Sequence, residues 1–375
     1  MKVIINKRFL FERIWILFAL VALAYVLTSR AGEQPTSRGG NYTVLNPITE
    51  GNLTLFPVVT QSVHDTHMFL TLDDGIRSGQ VVVTEEGGSP AMVRPRRRDQ
   101  VWDERQRRSS GPEVNRLTLT NNSDHALLLL AGEIVTGGKQ DRVMGKDRII
   151  APKSGPVDLG VFCVEPHRWT GVSAQFGGLE SFMAQPSVRK KAMADKSQSA
   201  VWDEVAKSRA AVAAKAPPAV PALSGTSSYA ATMQNPLVQD TVNSVAMPLE
   251  RSYEKVLGEL RAQHAVGAVV AVDGQLVWSD LFASPALFEA YWPKLVHSYA
   301  AEAVGAYTGP KTYNPPSVKS AQIFLQDLNA RRENVESEPG LYRHTELTAD
   351  SFEAFILTSL LPSTGFDVHT AKMAN

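Results

Sequence analysis

The sequence predicts an α+β protein. An antiparallel, β-rich N-terminal half packs with a helical and hairpin-containing C-terminal half, preceded by one N-terminal hydrophobic segment. Three observations lead there. Short runs rich in β-branched residues, separated by turn residues, recur between residues 45 and 170. Helical texture, with prolines at first-turn positions, takes over near Pro186. Ahead of both, Lys2, Lys7, Arg8 and Arg13 stand against a single acid, Glu12, and introduce an unbroken apolar run at residues 14–27.

That run is fourteen residues long, which matches a signal-peptide core and falls short of the ~20 residues that span hydrocarbon. Ser29-Arg30-Ala31 supplies a small-x-small cleavage step. The other reading is an uncleaved anchor that borrows residues 9–11 and snorkels its charges. Basic residues before the run leave the body on the non-cytoplasmic side in both cases. The expected organisation is a signal peptide or signal anchor at 1–31, a tether at 32–44 and one composite domain at 45–365. That domain is β-rich over 45–170 and helical with hairpins over 180–365. The expected location is the cell envelope, with the membrane as a partner through the N-terminal segment.

Residues 54–60 and 80–84 read as strands, and residues 69–76 between them as one helical turn capped by Thr71. An exposed loop at 94–110 carries seven arginines and three acids. Residues 114–120 and 126–131 flank an Asn121-Asn122-Ser123-Asp124 turn and read as a hairpin, its second strand running on to Gly137-Gly138. Strands follow near 148–151 and 159–164. Residues 188–206 read as a helix, 209–232 as an exposed Ala/Pro-rich linker, and 236–264 as a helix broken at Pro248. Asp273-Gly274 turns another hairpin. Ser284-Pro285 caps a helix that Pro293 kinks or splits, and its Leu287, Phe288, Tyr291, Trp292, Leu295 and Tyr299 form a core stripe. A helix at 317–332 and a strand pair at 342–347 and 352–357 come next.

The formal charge is zero, 38 basic against 38 acidic side chains, which speaks against nucleic acid as the main partner. Cys163 is the only cysteine, so an intramolecular disulfide and a multi-Cys zinc cluster are excluded. His64 and His67, three apart, would grip a metal only from a helical turn, and an exposed loop is the preferred reading. No metal site is expected, and the cofactor is left open.

Ionisable and amide side chains crowd residues 131–142, directly behind the apolar strand at 127–130. That strand delivers Glu133 to the sheet end. Gly137-Gly138 permits a tight turn or close approach of backbone to a ligand, and Lys139, Gln140 and Arg142 offer donors to phosphate or carboxylate oxygens. A surface hairpin tip is the plain alternative. A second cluster, Cys163, Glu165, His167, Arg168 and Trp169, ends another apolar strand, with Cys163 and Glu165 on one face. Glu165 raises a neighbouring thiol pKa, so a thiolate there would need His167, Lys139 or an arginine. A buried structural cysteine is the alternative. Trp169 either stacks on a base or sugar or packs.

Residues 130–133, 137–142 and 163–169 together resemble the signature of the ARG- and rhodanese-phosphatase-associated protein domain, where ARG stands for ADP-ribosylglycohydrolase. Residues 198–202, 267–270 and 278–282 are similar too, so the likeness spans most of 45–360. The resemblance implies a compact α+β domain that acts on or binds an ADP-ribose-like ligand. By position it singles out Glu133, Lys139, Gln140, Arg142, Cys163, Glu165 and Arg168. His167 stands where the family pattern has glycine.

Three functions are open. A hydrolase or transferase would use Glu133, Glu165 and Cys163 catalytically, with Gly137, Gly138, Lys139, Gln140, Arg142, Arg168 and Trp169 holding a small phosphorylated molecule. A non-catalytic envelope module would hold a ligand or partner with the same cluster. A purely structural cluster would be a buried salt-bridge network that fixes strand register.

Overall fold

Leu53–Thr60 is buried along its whole length, and the largest sheet is built on it. The computed structural model describes residues 41–85, 116–166, 168, 173–259, 264–309 and 313–375. The hydrophobic segment at 1–31, the tether up to residue 40, the arginine loop, His167 and Trp169 lie outside the described residues. Asn41–Asn375 gathers into one unit.

In chain order the elements begin β1 (Tyr42–Val44), β2 (Ile48–Glu50), β3 (Leu53–Thr60), β4 (Phe69–Thr71), α1 (Leu72–Arg77) and β5 (Val81–Glu85). Next come β6 (Arg116–Asn121), β7 (Ala126–Leu129), β8 (Glu133–Gly137), β9 (Arg142–Met144), β10 (Arg148–Ile150), β11 (Ser154–Cys163) and β12 (Phe176–Met183). A helical stretch holds α2 (Pro186–Lys190), a π turn (Lys191–Asp195), α3 (Gln198–Ala213), α4 (Val220–Leu223), α5 (Tyr229–Met233) and α6 (Pro236–Glu259). It is followed by β13 (His264–Val272), β14 (Gln275–Phe282), α7 (Pro285–Ala306) and α8 (Val318–Gln326). Then come β15 (Arg332–Glu338), β16 (Tyr342–Thr348), β17 (Phe352–Ser359) and β18 (Asp367–Ala374).

The protein is α+β, and among the described residues its sheets are antiparallel apart from one parallel pairing, β4 with β7. The nine-stranded sheet runs β1-β3-β13-β14-β18-β17-β16-β15, with β2 on β3. A six-stranded sheet runs β12-β8-β9-β11-β6-β5, and a three-stranded one β10-β7-β4. The first three strands thus join the C-terminal ones, so the two expected halves interleave.

Several expectations change here. Residues 116–121 and 126–129 make no hairpin: β6 joins the six-stranded sheet and β7 the three-stranded one. Asn121 enforces the split. Its buried side chain donates to the His125 and Ala151 carbonyls and accepts from Ser123, which folds the turn inward between the sheets. The second strand also stops short. β7 ends at Leu129, and Gly132, at φ +95°, turns the chain into β8 in the other sheet. Residues 209–232, expected as an exposed linker, bury Ala216, Ala219, Leu223 and Tyr229 against the main core. Pro248 and Pro293 lie inside continuous helices. Each removes one N–H donor, and packing of the flanking turns outweighs that loss. The helix expected to reach residue 332 ends at Gln326, and the arginine-led segment after it is the edge strand β15.

Other elements form as expected. Thr71 accepts from Asp74 N and starts α1, and Ser284 accepts from Leu287 N and starts α7. Asp273 and Gly274 both adopt positive φ and join β13 to β14. The α7 stripe from Leu287 to Tyr299 is buried and packs on α6, β12 and β13.

Candidate functional site

The fold brings the two sequence clusters together, because β9 pairs with β11 in a register that sets Arg142 opposite Cys163. Beyond that pair the chain segments at 137–141 and 165–168 face each other. Asp141 accepts from Gly137 N at 3.1 Å and from Ser228 Oγ at 2.7 Å. Its own N–H donates to Glu165 Oε2. Arg168 pairs with Glu165 at 2.6 Å and with Asp141 at 3.4 Å, and donates to the Gly138 carbonyl. Gln140 donates to the Glu165 carbonyl. Burial raises the Asp141 carboxyl above its ordinary pKa, and Glu165 adds to the rise against the Ser228 hydrogen bond.

The glycine pair serves close packing against β12. Gly137 and Gly138 sit at φ +127° and +51°. A Cβ on Gly137 would stand 2.5 Å from Ser173 Oγ, and one on Gly138 would stand 2.3 Å from the Phe176 ring. The Lys139 backbone N–H is bound by Glu85.

Two sequence candidates change role. Arg142, expected to hold an anion, is 1% exposed and donates to the Gln140 and Asp141 carbonyls, so its guanidinium faces the protein interior. Cys163 is buried, and burial pushes its thiol pKa up against the pull of the Glu165 N–H, the Trp202 indole and Arg142. A nucleophile needs the opposite shift.

Glu133 belongs to a different group. It starts β8, whereas Gly137 ends it, a separation of roughly 13 Å along a strand. Its Oε1 lies 3.0 Å from Lys294 Nζ, whose other partner is Asp73 Oδ2 at 2.5 Å. Oε2 accepts from Leu130 N. One buried ammonium faces two carboxylates. Burial therefore pushes Glu133 toward its neutral form despite Lys294, while the two acids outweigh desolvation and keep Lys294 charged.

A third group went unseen in the sequence. Asp280, in the C-terminal half of β14, takes both Nη atoms of Arg189, the Trp278 indole, the Tyr299 hydroxyl and His369 Nε2. His369 Nδ1 in turn lies 2.6 Å from Asp147, which also accepts from Ala131 N. Burial alone would raise both aspartates and lower the histidine. Ion pairing outweighs it, so Asp280 and Asp147 sit below the usual carboxylate range and His369 rises to about 9. A lone Asp, His or Arg in an apolar strand or helix was the only sequence signal, and it names no partner.

His64 stacks on Phe366 at 4.2 Å, and His67 is exposed. Among the described residues no three His, Cys, Asp or Glu side chains are arranged to hold a metal ion, and no helix is long and apolar enough to cross a membrane.

The family model of the ARG and Rhodanese-Phosphatase-superfamily-associated Protein domain, ARPP-1, matches residues 41–371. The chain belongs to this family. No curated protein and no solved structure matches it. The ARPP-1 match contains all three polar groups, and it begins after the N-terminal hydrophobic segment.

Proposed function

We propose that the chain is a hydrolase or transferase acting on a small phosphorylated molecule of ADP-ribose type, with Asp141 and Glu165 as its working carboxylates. Their shared guanidinium carries the proposal. Arg168 Nη2 lies 3.4 Å from Asp141 Oδ1 and 2.6 Å from Glu165 Oε2, so the two oxygens are within about 6 Å of each other. Asp141, raised by burial, donates a proton to the leaving oxygen. Glu165, too close to Asp141 to leave room for a water between them, attacks the glycosidic carbon as nucleophile, and water or a hydroxyl then displaces Glu165 from that carbon, giving its proton to Asp141. Carboxylates at such spacing serve glycosidic and related bonds. Membership of a family named for its association with ADP-ribosylglycohydrolases and phosphatases supports the same class. Location in the cell envelope is part of the proposal, and it rests on the basic residues ahead of the apolar run at 14–27.

One observation favours a second reading, a non-catalytic clasp. Asp141 and Arg168 already bind turn groups, and Ser228 ties them to the start of α5. Asp141→Asn and Glu165→Gln in the full-length protein separate the two. The enzyme reading expects hydrolysis of ADP-ribose or a phosphomonoester to fall ~10²- to 10⁴-fold with the fold retained. The clasp reading expects a lower melting temperature and no activity to lose. Wild-type protein without turnover on either substrate sinks the enzyme.

A further inference from the structure

A cavity of about 340 Å³ lies between the paired strands β9 and β11 of the six-stranded sheet and the β15–β17 end of the nine-stranded one, beside the π turn after α2. His344 lines it. The ring is 1% exposed, and neither nitrogen has a hydrogen-bond partner among the described residues, Glu346 Oε1 lying 3.9 Å from Nδ1, an arrangement that costs free energy unless something else supplies the bonds. Strand register places His344 in one row with Leu357 and His369, on the face that carries the buried Asp280 network.

The surroundings define the occupant. Phe162 and Phe355 supply aromatic surface for a flat ring. A Cβ on Gly145 would stand 2.7 Å from the Phe162 ring, so glycine lets that ring lie against the chain. Lys146 pairs with Glu336, and Lys196 pairs with Glu346 at 2.6 Å. The lining charges thus cancel, which gives a polyphosphate no advantage. The carboxylates can still accept hydroxyl donors. Burial lowers the His344 pKa to about 4 despite Asp147, with Lys146 working in the same direction as burial and Glu346 and Glu336 against it. A neutral imidazole offers one donor and one acceptor together, as the edge of a heteroaromatic ring does. The volume is near the lower end of small-molecule sites, roughly 300–1,000 Å³.

We propose that this cavity binds an uncharged heteroaromatic molecule bearing hydroxyl groups, of about the size of one nucleoside, with His344 reading the ring edge and Glu336 and Glu346 accepting the hydroxyls. The site is separate from the Asp141–Glu165 pair and stands or falls independently of it.

Calorimetric titration of the full-length protein with adenosine, uridine, adenosine 5′-monophosphate and tyrosine tests this, alongside thermal unfolding. A nucleoside is expected to bind and raise the transition, with the monophosphate no tighter. His344→Phe keeps the ring volume and removes both nitrogens. It is expected to fold with an equal or higher transition and to bind the nucleoside at least ~10-fold more weakly. His344→Gln, which keeps one donor and one acceptor, recovers part of the affinity and guards against a folding failure in the first variant. The proposal is overturned if neither nucleoside binds at millimolar concentration. Preference for tyrosine, tenfold tighter binding of the monophosphate, or unchanged affinity in His344→Phe overturns it as well.

Discussion

Arg189 and Asp280 form a two-point ion pair, at 2.8 and 2.9 Å, with both side chains wholly shielded from solvent. Removing one member strands the other charge. Arg189→Met is therefore expected to cost about 3–5 kcal/mol, read as a shift in the urea midpoint. Arg189→Met with Asp280→Leu is expected to be less damaging than Arg189→Met alone. A single-variant loss below ~1 kcal/mol would mean that the pair is not the anchor of this network.

The neighbouring His369 sets an alkaline limit. Its pKa rises from 6.5 to about 9 on folding. A raised basic pKa contributes stability that is complete below the unfolded value of 6.5 and is lost as pH climbs through 9. The expected loss is on the order of 3 kcal/mol across that window. Urea unfolding between pH 6 and 10 measures it, and His369→Gln should flatten the slope. The aspartates act at the other end. Their depressed pKa values stabilise above pH ~4, and that contribution fades as pH falls through the folded values.

Lys294 holds two carboxylates in the interior. Lys294→Met leaves Asp73 and Glu133 facing each other, and a loss of about 3–5 kcal/mol follows at neutral pH. Because burial favours the neutral form of Glu133, acidifying the solution should recover part of that loss. Adding Glu133→Gln to Lys294→Met should recover it without acid. Additive losses in the double variant would contradict the coupling.

At the turn of the candidate site, Gly138→Ala would set a Cβ 2.3 Å from the Phe176 ring at a positive φ. A loss of about 2–4 kcal/mol is expected, visible as a lower thermal transition. Gly225→Ala, where a Cβ meets nothing within 4 Å among the described residues, serves as the control and should change little.

Local chemistry was legible in the sequence. The Thr71 and Ser284 caps, the Asp273-Gly274 turn and the α7 stripe all depend on residues a few positions apart. The meeting of residues 137–142 with 163–168 was legible as two clusters suspected of sharing a site. Partner choice was not. β6 and β7 have the composition of a hairpin, and period-two alternation does not say which sheet a strand joins. The Asp280 network was hidden because its members come from distant segments: Arg189 lies 91 residues away and His369 lies 89. The inward orientation of the Arg142 guanidinium was not legible, because its donors point to carbonyls of its own turn, which composition does not encode.

β18 lies between β14 and β17, well inside the nine-stranded sheet, and carries His369 into the core. Until residue 374 has left the ribosome, those two strands lack their common neighbour and Asp280 lacks one of its partners. The large sheet therefore closes only once β18 is available, and the facing edges of β14 and β17 stay unpaired until then.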